Sequence, residues 1–376
     1  MTASDKVMIY GTGDVAVNRA DKETAFPHVA ATLAEPDILF AQLETNFSLK
    51  GSQFPTGHGA QHGGPEMVDL LKKHGFDVLS FASNHALDLG PDALLDTIDI
   101  AKKAGFAFIG VGKNIDDARQ PAILERKGAN IGFLAYNSIL PPGYWATPTW
   151  PGCAPMRVRT FYEQYEIDQP GSPPETYTYA LEEDLEAMVQ DVKKLRPQVD
   201  VLVMSIHWGI HFMPAKLAMY QRQVAHAAID AGVDLILGHH THILKGIEVY
   251  KGKAIFYSLG NFCMDSSIMK TWPKVPKRWR EYWSRYGFKG DPEMEGRYPF
   301  PPDSRKTMIA KCLVSNRKIE QISFLPVYIN KFNQPTMLSR DDEKFNAVQE
   351  YMTMVTEDQE LGTRFTARGN EVVVET

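Results

Sequence analysis

The chain has 376 residues, enough for one large domain or two, with 44% hydrophobic and 23% charged residues, the mix of an ordinary globular protein. A formal net charge of −6 argues against a nucleic-acid partner, which calls for a basic patch or stripe. Three cysteines, Cys153, Cys263 and Cys312, are widely spaced and odd in number, so a disulfide framework is not expected and a reducing, cytoplasmic compartment is. The first ten residues hold no apolar h-region, and no run approaches the roughly 20 apolar residues of a membrane span, so neither a signal peptide nor a membrane anchor is expected.

In chain order, strand-like runs fall at Val7–Tyr10, Ile38–Leu43, Val78–Ala82, Phe106–Val111, Ile131–Tyr136, Val201–Ile206 and Leu235–Leu237. Helical patterns fill the gaps at 22–34, 65–74, 91–104, 181–196 and 215–231. This alternation predicts βαβ units and a mostly parallel sheet. Strands at Ile243–Tyr250, Ala254–Leu259, Thr307–Val314 and Ile319–Leu325 then follow without helices and predict an antiparallel half. Two sheets packed together with helices outside are expected, as one domain over 1–330 and an extension over 331–376 packed on it. Residues 140–180 and 266–305 interrupt the pattern with Pro, Gly and aromatics, including Tyr144, Trp145, Trp150, Trp272, Trp279 and Trp283. They read either as decoration on the core or as covers over a substrate.

The chemistry gathers at strand ends. The run Asp234-Leu-Ile-Leu-Gly-His-His-Thr-His242 delivers three histidines at the tip of a buried strand, and imidazoles so placed suit Zn, Mn or Fe. Asp14 follows the first strand, Glu44 the second, Asn84 and His85 the third, and His207 the sixth. Ligands of open α/β sheets bind beyond the carboxyl ends of the strands, and these residue types can hold two divalent ions with one carboxylate bridging. Gly11-Thr-Gly-Asp-Val-Ala16 also fits a dinucleotide fingerprint, but its ribose-binding acid is expected about 20 residues on, and Glu44 lies well beyond. No G-x-S-x-G or Walker A motif occurs.

In order, Gly13-Asp14-Val15, Gln42-Leu43-Glu44-Thr45, Ser83-Asn84-His85-Ala86-Leu87-Asp88-Leu89-Gly90, His207-Trp208-Gly209, Gly238-His239-His240-Thr241-His242 and Tyr257-Ser258-Leu259-Gly260-Asn261-Phe262 resemble the CapA family of poly-γ-glutamate capsule synthesis, from about residue 7 to 330. The resemblance implies the calcineurin-like metallophosphoesterase fold, a four-layer αββα sandwich of two mixed sheets flanked by helices. It implies two divalent ions (Mn, Zn or Fe), with Asp14, Glu44, Asn84, His207, His240 and His242 as ligands and Glu44 as the bridge. His85 looks like the histidine that protonates the leaving group. Asp88 either holds the ring of His85 or caps the helix near Pro91, with the cap the expected role. His239 is the extra histidine of its motif and stands, with His211 and Arg19, as a candidate substrate contact. Arg19 could meet a phosphate or carboxylate, or simply be solvated. Two departures stand out. His211 occupies the place where the family usually has an acid after His-Trp-Gly, and the membrane anchor of many members is not seen.

The activity so implied is that of a soluble hydrolase in which a metal-bridging hydroxide attacks a phosphoester or an amide such as a γ-glutamyl bond. The alternative is a non-catalytic module that binds or assembles poly-γ-glutamate. The expected partner is a small-molecule or γ-glutamyl substrate.

Overall fold

A computed structural model describes residues 6–57, 62–265, 277, 281, 291–294 and 300–375. The strands are β1 (Val7–Ala16), β2 (Ile38–Leu43), β3 (Val78–Ser80), β4 (Ala107–Ile109), β5 (Val111–Gly112), β6 (Ala122–Arg126), β7 (Ala129–Asn137), β8 (Gly152–Cys153), β9 (Val158–Gln164) and β10 (Pro174–Ala180). They continue with β11 (Val201–His207), β12 (Leu235–His239), β13 (Ile247–Tyr250), β14 (Lys253–Phe256), β15 (Asn261–Met264), β16 (Lys306–Ser315), β17 (Lys318–Ile329), β18 (Pro335–Met337), β19 (Phe365–Arg368) and β20 (Glu371–Val374). The helices used below are α1 (Ala30–Leu33), α2 (Glu66–Lys73), α3 (Pro91–Lys103), α4 (Ile115–Ala118), α5 (Glu182–Leu195), α6 (Met219–Ala231) and α7 (Glu343–Glu357).

Two large mixed sheets form. One runs β19-β20-β17-β16-β1-β2-β3-β4, with β15 beside β1 and β18 beside β17. The other runs β13-β14-β12-β11-β7-β6. Alternation along each strand assigns the faces. Val7 and Ile9 of β1, Ile38 and Phe40 of β2, Val201 and Val203 of β11, and Leu235 and Leu237 of β12 point into one core between the sheets. The opposite positions, Tyr10, Leu39 and Ala41, pack with Leu70, Leu71, Leu94 and Ile98 of α2 and α3. Leu202, Met204, Ile206 and Ile236 pack with Met188 and Val192 of α5 and Val224 and Ala228 of α6. This is the expected layered sandwich. Each large apolar side chain so buried is worth about 1.5–3 kcal/mol against exposure, and the inner layer places the two sets of strand ends face to face.

The details differ from expectation where local chemistry intervenes. The pattern over 22–34 is not one helix; Pro27 separates a 3₁₀ turn at Lys22–Thr24 from the single turn α1, because proline cannot continue a helix interior. The run 106–111 splits at Gly110, whose φ of +83° turns the chain between β4 and β5. The parallel and antiparallel halves do not make separate sheets. β16 returns antiparallel to β1, and β14 lies parallel to β12. In the C-terminal part, β20 extends the first sheet beside β17, and Phe345, Val348, Met352 and Val355 of α7 join the core between the sheets. Most of the aromatic stretch 266–305, Trp272, Trp279, Tyr282, Trp283, Tyr286 and Phe288 included, lies outside the described residues.

Candidate metal centre

The strand ends converge in the cleft between the sheets: β1, β2 and β3 from one side, β11 and β12 from the other. Asp14 sits at the bulge where β1 leaves its regular pairing with β2 and takes β15 as a neighbour. That bulge depends on Gly13, where an added Cβ would lie 2.0 Å from the Gly260 carbonyl oxygen, the same oxygen that accepts from the Asp14 amide at 3.0 Å. We expect Gly13→Ala to force the β1 and 259–260 backbones apart, costing about 1–3 kcal/mol by overpacking and displacing Asp14. A urea titration of the variant checks this, and an unchanged midpoint would refute it.

Asp14 and Glu44 are almost fully buried, as are His207, His240 and His242. Ligand-capable atoms of Asp14, Glu44 and His207 all lie within 4.8 Å of one another. Around this kernel, His207 Nε2 is 3.4 Å from Glu44 Oε1, 2.7 Å from Asn84 Oδ1 and 3.2 Å from His240 Nδ1. His242 Nδ1 is 3.5 Å from Asp14 Oδ2, and the His240 amide reaches the same oxygen at 3.3 Å. The structure thus brings all six expected ligand residues into one cluster. Two of them strain the backbone. His240 and His242 have φ of +93° and +57°, a left-handed region that costs non-glycine residues about 1–3 kcal/mol each and persists where tertiary contacts impose it.

The electrostatics suit a cation. Burial, then the neighbouring Asp14, raises the Glu44 carboxyl far above its usual range. Burial, then the surrounding histidines, lowers His207 and His240 well below theirs. Burial lowers His242 as well, against the pull of Asp14 and Asn261. The imidazoles are neutral and so have lone pairs to give. Asp14 Oδ1 and Glu44 Oε2 are buried and make no hydrogen bond among the described residues, although an imidazole nitrogen lies 3.3 and 3.6 Å from them, and a buried carboxylate oxygen without a hydrogen bond is costly. Carboxylate, amide and imidazole donors of this kind fit Zn, Mn or Fe.

His85 stands at the rim, one quarter exposed, with Nε2 3.6 Å from Glu44 Oε2. Its Nδ1 meets Asp88 Oδ2 at 2.7 Å. Asp88 therefore does not cap α3, whose first turn follows Gly90 without a side-chain cap. Its second oxygen accepts from the Tyr144 hydroxyl at 2.6 Å. Burial alone would lower His85, but Asp88, Glu44 and Asp14 outweigh it and push the imidazole up to about 9.

Three other expectations are resolved by position. His239 cannot touch substrate, as it has no exposed surface. It shares the inner face of β12 with Leu235 and Leu237, against Phe40 at 5.7 Å, and lies behind Asp14 with Nδ1 3.3 Å from Oδ1. The two-residue period of the strand sends it inward, and His240, past the strand end, takes the place at His207. Arg19 is neither solvated nor available. Its guanidinium holds Asp265 through Nε and Nη2 at 2.9 and 2.8 Å, and donates to the Asn333 carbonyl. His211 does reach the site, its ring 3.9 Å from that of His240 between centroids.

Sequence reasoning assigned no role to Ser83 or Asn261, and it read Tyr144 only as part of an aromatic stretch decorating the core or covering a substrate. Ser83 Oγ donates to Glu44 Oε1 at 3.0 Å, and Asn261 Oδ1 meets His242 Nδ1 at 2.7 Å. Both sit inside motifs already singled out, beside residues that were read. Tyr144 comes from the 140–180 stretch, and no spacing connects it to Asp88.

Two mixed sheets between helical layers, with a carboxylate and imidazole cluster in the cleft where their strand ends meet, define an α/β sandwich with a candidate metal centre, a fold consistent with the metallophosphoesterase-like superfamily. Residues 5–266 match the family described as bacterial capsule synthesis protein PGA_cap, and the chain belongs to that family. Its relatives include the capsule biosynthesis protein CapA of Bacillus anthracis, 30% identical over 258 residues (68% of this chain, 57% of that protein). The PGA biosynthesis protein CapA of Bacillus subtilis is 33% identical over 207 residues, 55% of this chain and 47% of that protein. The chain thus spans about half the length of these curated relatives. Among solved structures, a hypothetical protein from Thermus thermophilus is 14% identical with a TM-score of 0.43, covering 85% of this chain and 98% of that one. No helix among the described residues is long and apolar enough to cross a membrane.

Proposed function

We propose that the chain is a dinuclear metal-dependent hydrolase acting on a phosphoester or on an amide such as a γ-glutamyl bond. The observation that carries this reading is the buried convergence of Asp14, Glu44 and His207, with Asn84, His240 and His242 around it and carboxylate oxygens without hydrogen bonds at its centre. In this reading Asp14 and His242 would hold one ion, Asn84, His207 and His240 would hold a second, and Glu44 would be within reach of both. Such ions supply Lewis acidity, acidifying water and stabilising charge on a phosphoryl or carbonyl oxygen.

The remaining chemistry belongs to the chain. Asn261 orients His242, and Ser83 orients Glu44. His85 carries a proton on Nε2 at the open side of the site and passes it to the leaving oxygen or nitrogen. Asp88, steadied by Tyr144, keeps the other ring nitrogen protonated so that Nε2 faces the reaction. His211, its ring tilted against that of His240 and stacked on that of His242, would contact the substrate beside the ions. The relatives named for capsule and PGA biosynthesis make γ-glutamyl amides the first substrates to try.

Elemental analysis of purified, Mn- or Zn-reconstituted protein tests the reading, together with turnover on nitrophenyl phosphates and γ-glutamyl anilides before and after chelation. Close to two ions per chain and chelator-sensitive turnover are expected. Failure to take up Mn, Fe or Zn would sink the proposal. Full metal loading without turnover on either class would favour a poly-γ-glutamate assembly role.

A further inference from the structure

The β9–β10 ribbon belongs to neither large sheet. Strand β10 leans on α6, where the Tyr220 amide reaches Thr178 Oγ1 and the Ala180 amide donates to Gln223 Oε1. Among the described residues, strand β9 pairs with β10 alone, and all of Arg159–Gln164 is exposed. The ribbon shows water an unusual run of rings, with Phe161 at 52%, Tyr162 at 71% and Tyr179 at 44% exposure. A two-stranded ribbon is marginal by itself, and an open apolar edge strand is a template for pairing.

We propose that β9 pairs antiparallel with β9 of a second copy of this chain across a twofold axis through Phe161, joining two ribbons into a four-stranded sheet. Hydrogen bonding and charge agree on this register. The Ala180 amide points away from β9, so Val158 and Ala180 are a non-hydrogen-bonded pair. The antiparallel alternation then turns the amides and carbonyls of Val158, Thr160, Tyr162 and Gln164 to the open edge. Centring on Phe161 sets Thr160 against Tyr162 and Val158 against Gln164 of the other copy, so every outward group meets an outward group. The same register sets Arg159 against Glu163 twice, by symmetry, and Phe161 against itself. Moving the axis by one residue loses that charge match. The neighbouring Arg157 is taken up by Glu183 and Asp184, whereas Arg159 makes no ion pair among the described residues; Glu163 directly faces Glu175 across the ribbon, a like-charge pair that an arginine from the second copy relieves. A contact of this kind is isologous and closes at two.

Sedimentation velocity of the full chain tests this. The wild type is expected to dimerise. Arg159→Glu and Glu163→Arg are each expected to weaken the dimer by about tenfold or more, because each sets like charges face to face twice. The double swap Arg159→Glu/Glu163→Arg is expected to restore it. Separately, Phe161→Cys is expected to form an intersubunit disulfide on mild oxidation, since facing non-hydrogen-bonded residues lie within disulfide reach and the native cysteines are buried. Thr160→Cys, which has no symmetric partner in this register, is expected not to. A monomeric wild type, a dimer indifferent to either reversal, a swap that fails to restore, or equal cross-linking of both cysteine variants would overturn the proposal.

Discussion

Glu44→Gln is expected to empty the site and to make the chelated protein more stable. Glu44 is the residue both ions would share. With it neutral, metal stoichiometry falls, and turnover drops on the order of 10³-fold, the scale of losing one preorganised electrostatic element of a transition state. Stability moves the other way. Burial and Asp14 raise the Glu44 carboxyl above its ordinary value of 4.5. Ionising it is therefore easier in the unfolded chain than in the folded one. The resulting penalty is absent below pH 4.5 and grows as pH rises through the interval up to the folded value. Glutamine removes the penalty, so the variant's advantage is expected to appear above that pH and to reach the order of 1 kcal/mol near neutrality. Calorimetry with and without chelator reads both signs. A variant less stable than the parent under chelation would mean that Glu44 is favourably placed without a cation, contrary to the electrostatics above.

His85→Gln is expected to keep its metal and lose about 10²–10⁴ in kcat, the range for a positioned proton donor. The loss is expected to shrink for nitrophenolate leaving groups, which need no proton, and to be full for alkoxide or amine leaving groups. Equal losses on both would make His85 a binding residue rather than an acid. Asp88→Asn probes the same proton from behind. Asp88 is the strongest of the groups that favour protonated His85, so its removal lowers the pKa of the ring. The acid form is then lost at lower pH, and the alkaline limb of kcat is expected to move down the pH scale with a drop of about 10–100-fold at neutrality, as for other orienting partners. An unshifted limb would remove Asp88 from this role.

The legibility of the site followed distance along the chain. Asp14, Glu44, Asn84, His207, His240 and His242 could be picked out because each ends an apolar run, and strand ends in α/β sheets face ligands. The choice between His239 and His240 depended on strand phase. Leu235 and Leu237 already define the inner face, and β12 continues through His239, so that side chain is drawn inward. Arg19 misled because its partner, Asp265, is 246 residues away. Asp88 was ambiguous because the helix start and His85 are equally close in sequence, and only the folded geometry, with Asp88 on the His85 ring and α3 left without a side-chain cap, decides between them.

By itself the sequence determined the alternation of strands and helices, the two-sheet sandwich with helices outside, the family, and the residue types that collect at the strand tips. These follow from local periodicity, and from motifs of a few residues whose chemistry depends on near neighbours. Only the tertiary structure decided that the strand ends come from two facing sheets, that β16 folds back on β1, that His239 turns away from the cleft, and that Tyr144 steadies Asp88. Each of these is a pairing between distant segments, chosen by how apolar faces bury against one another and by which buried polar groups find partners.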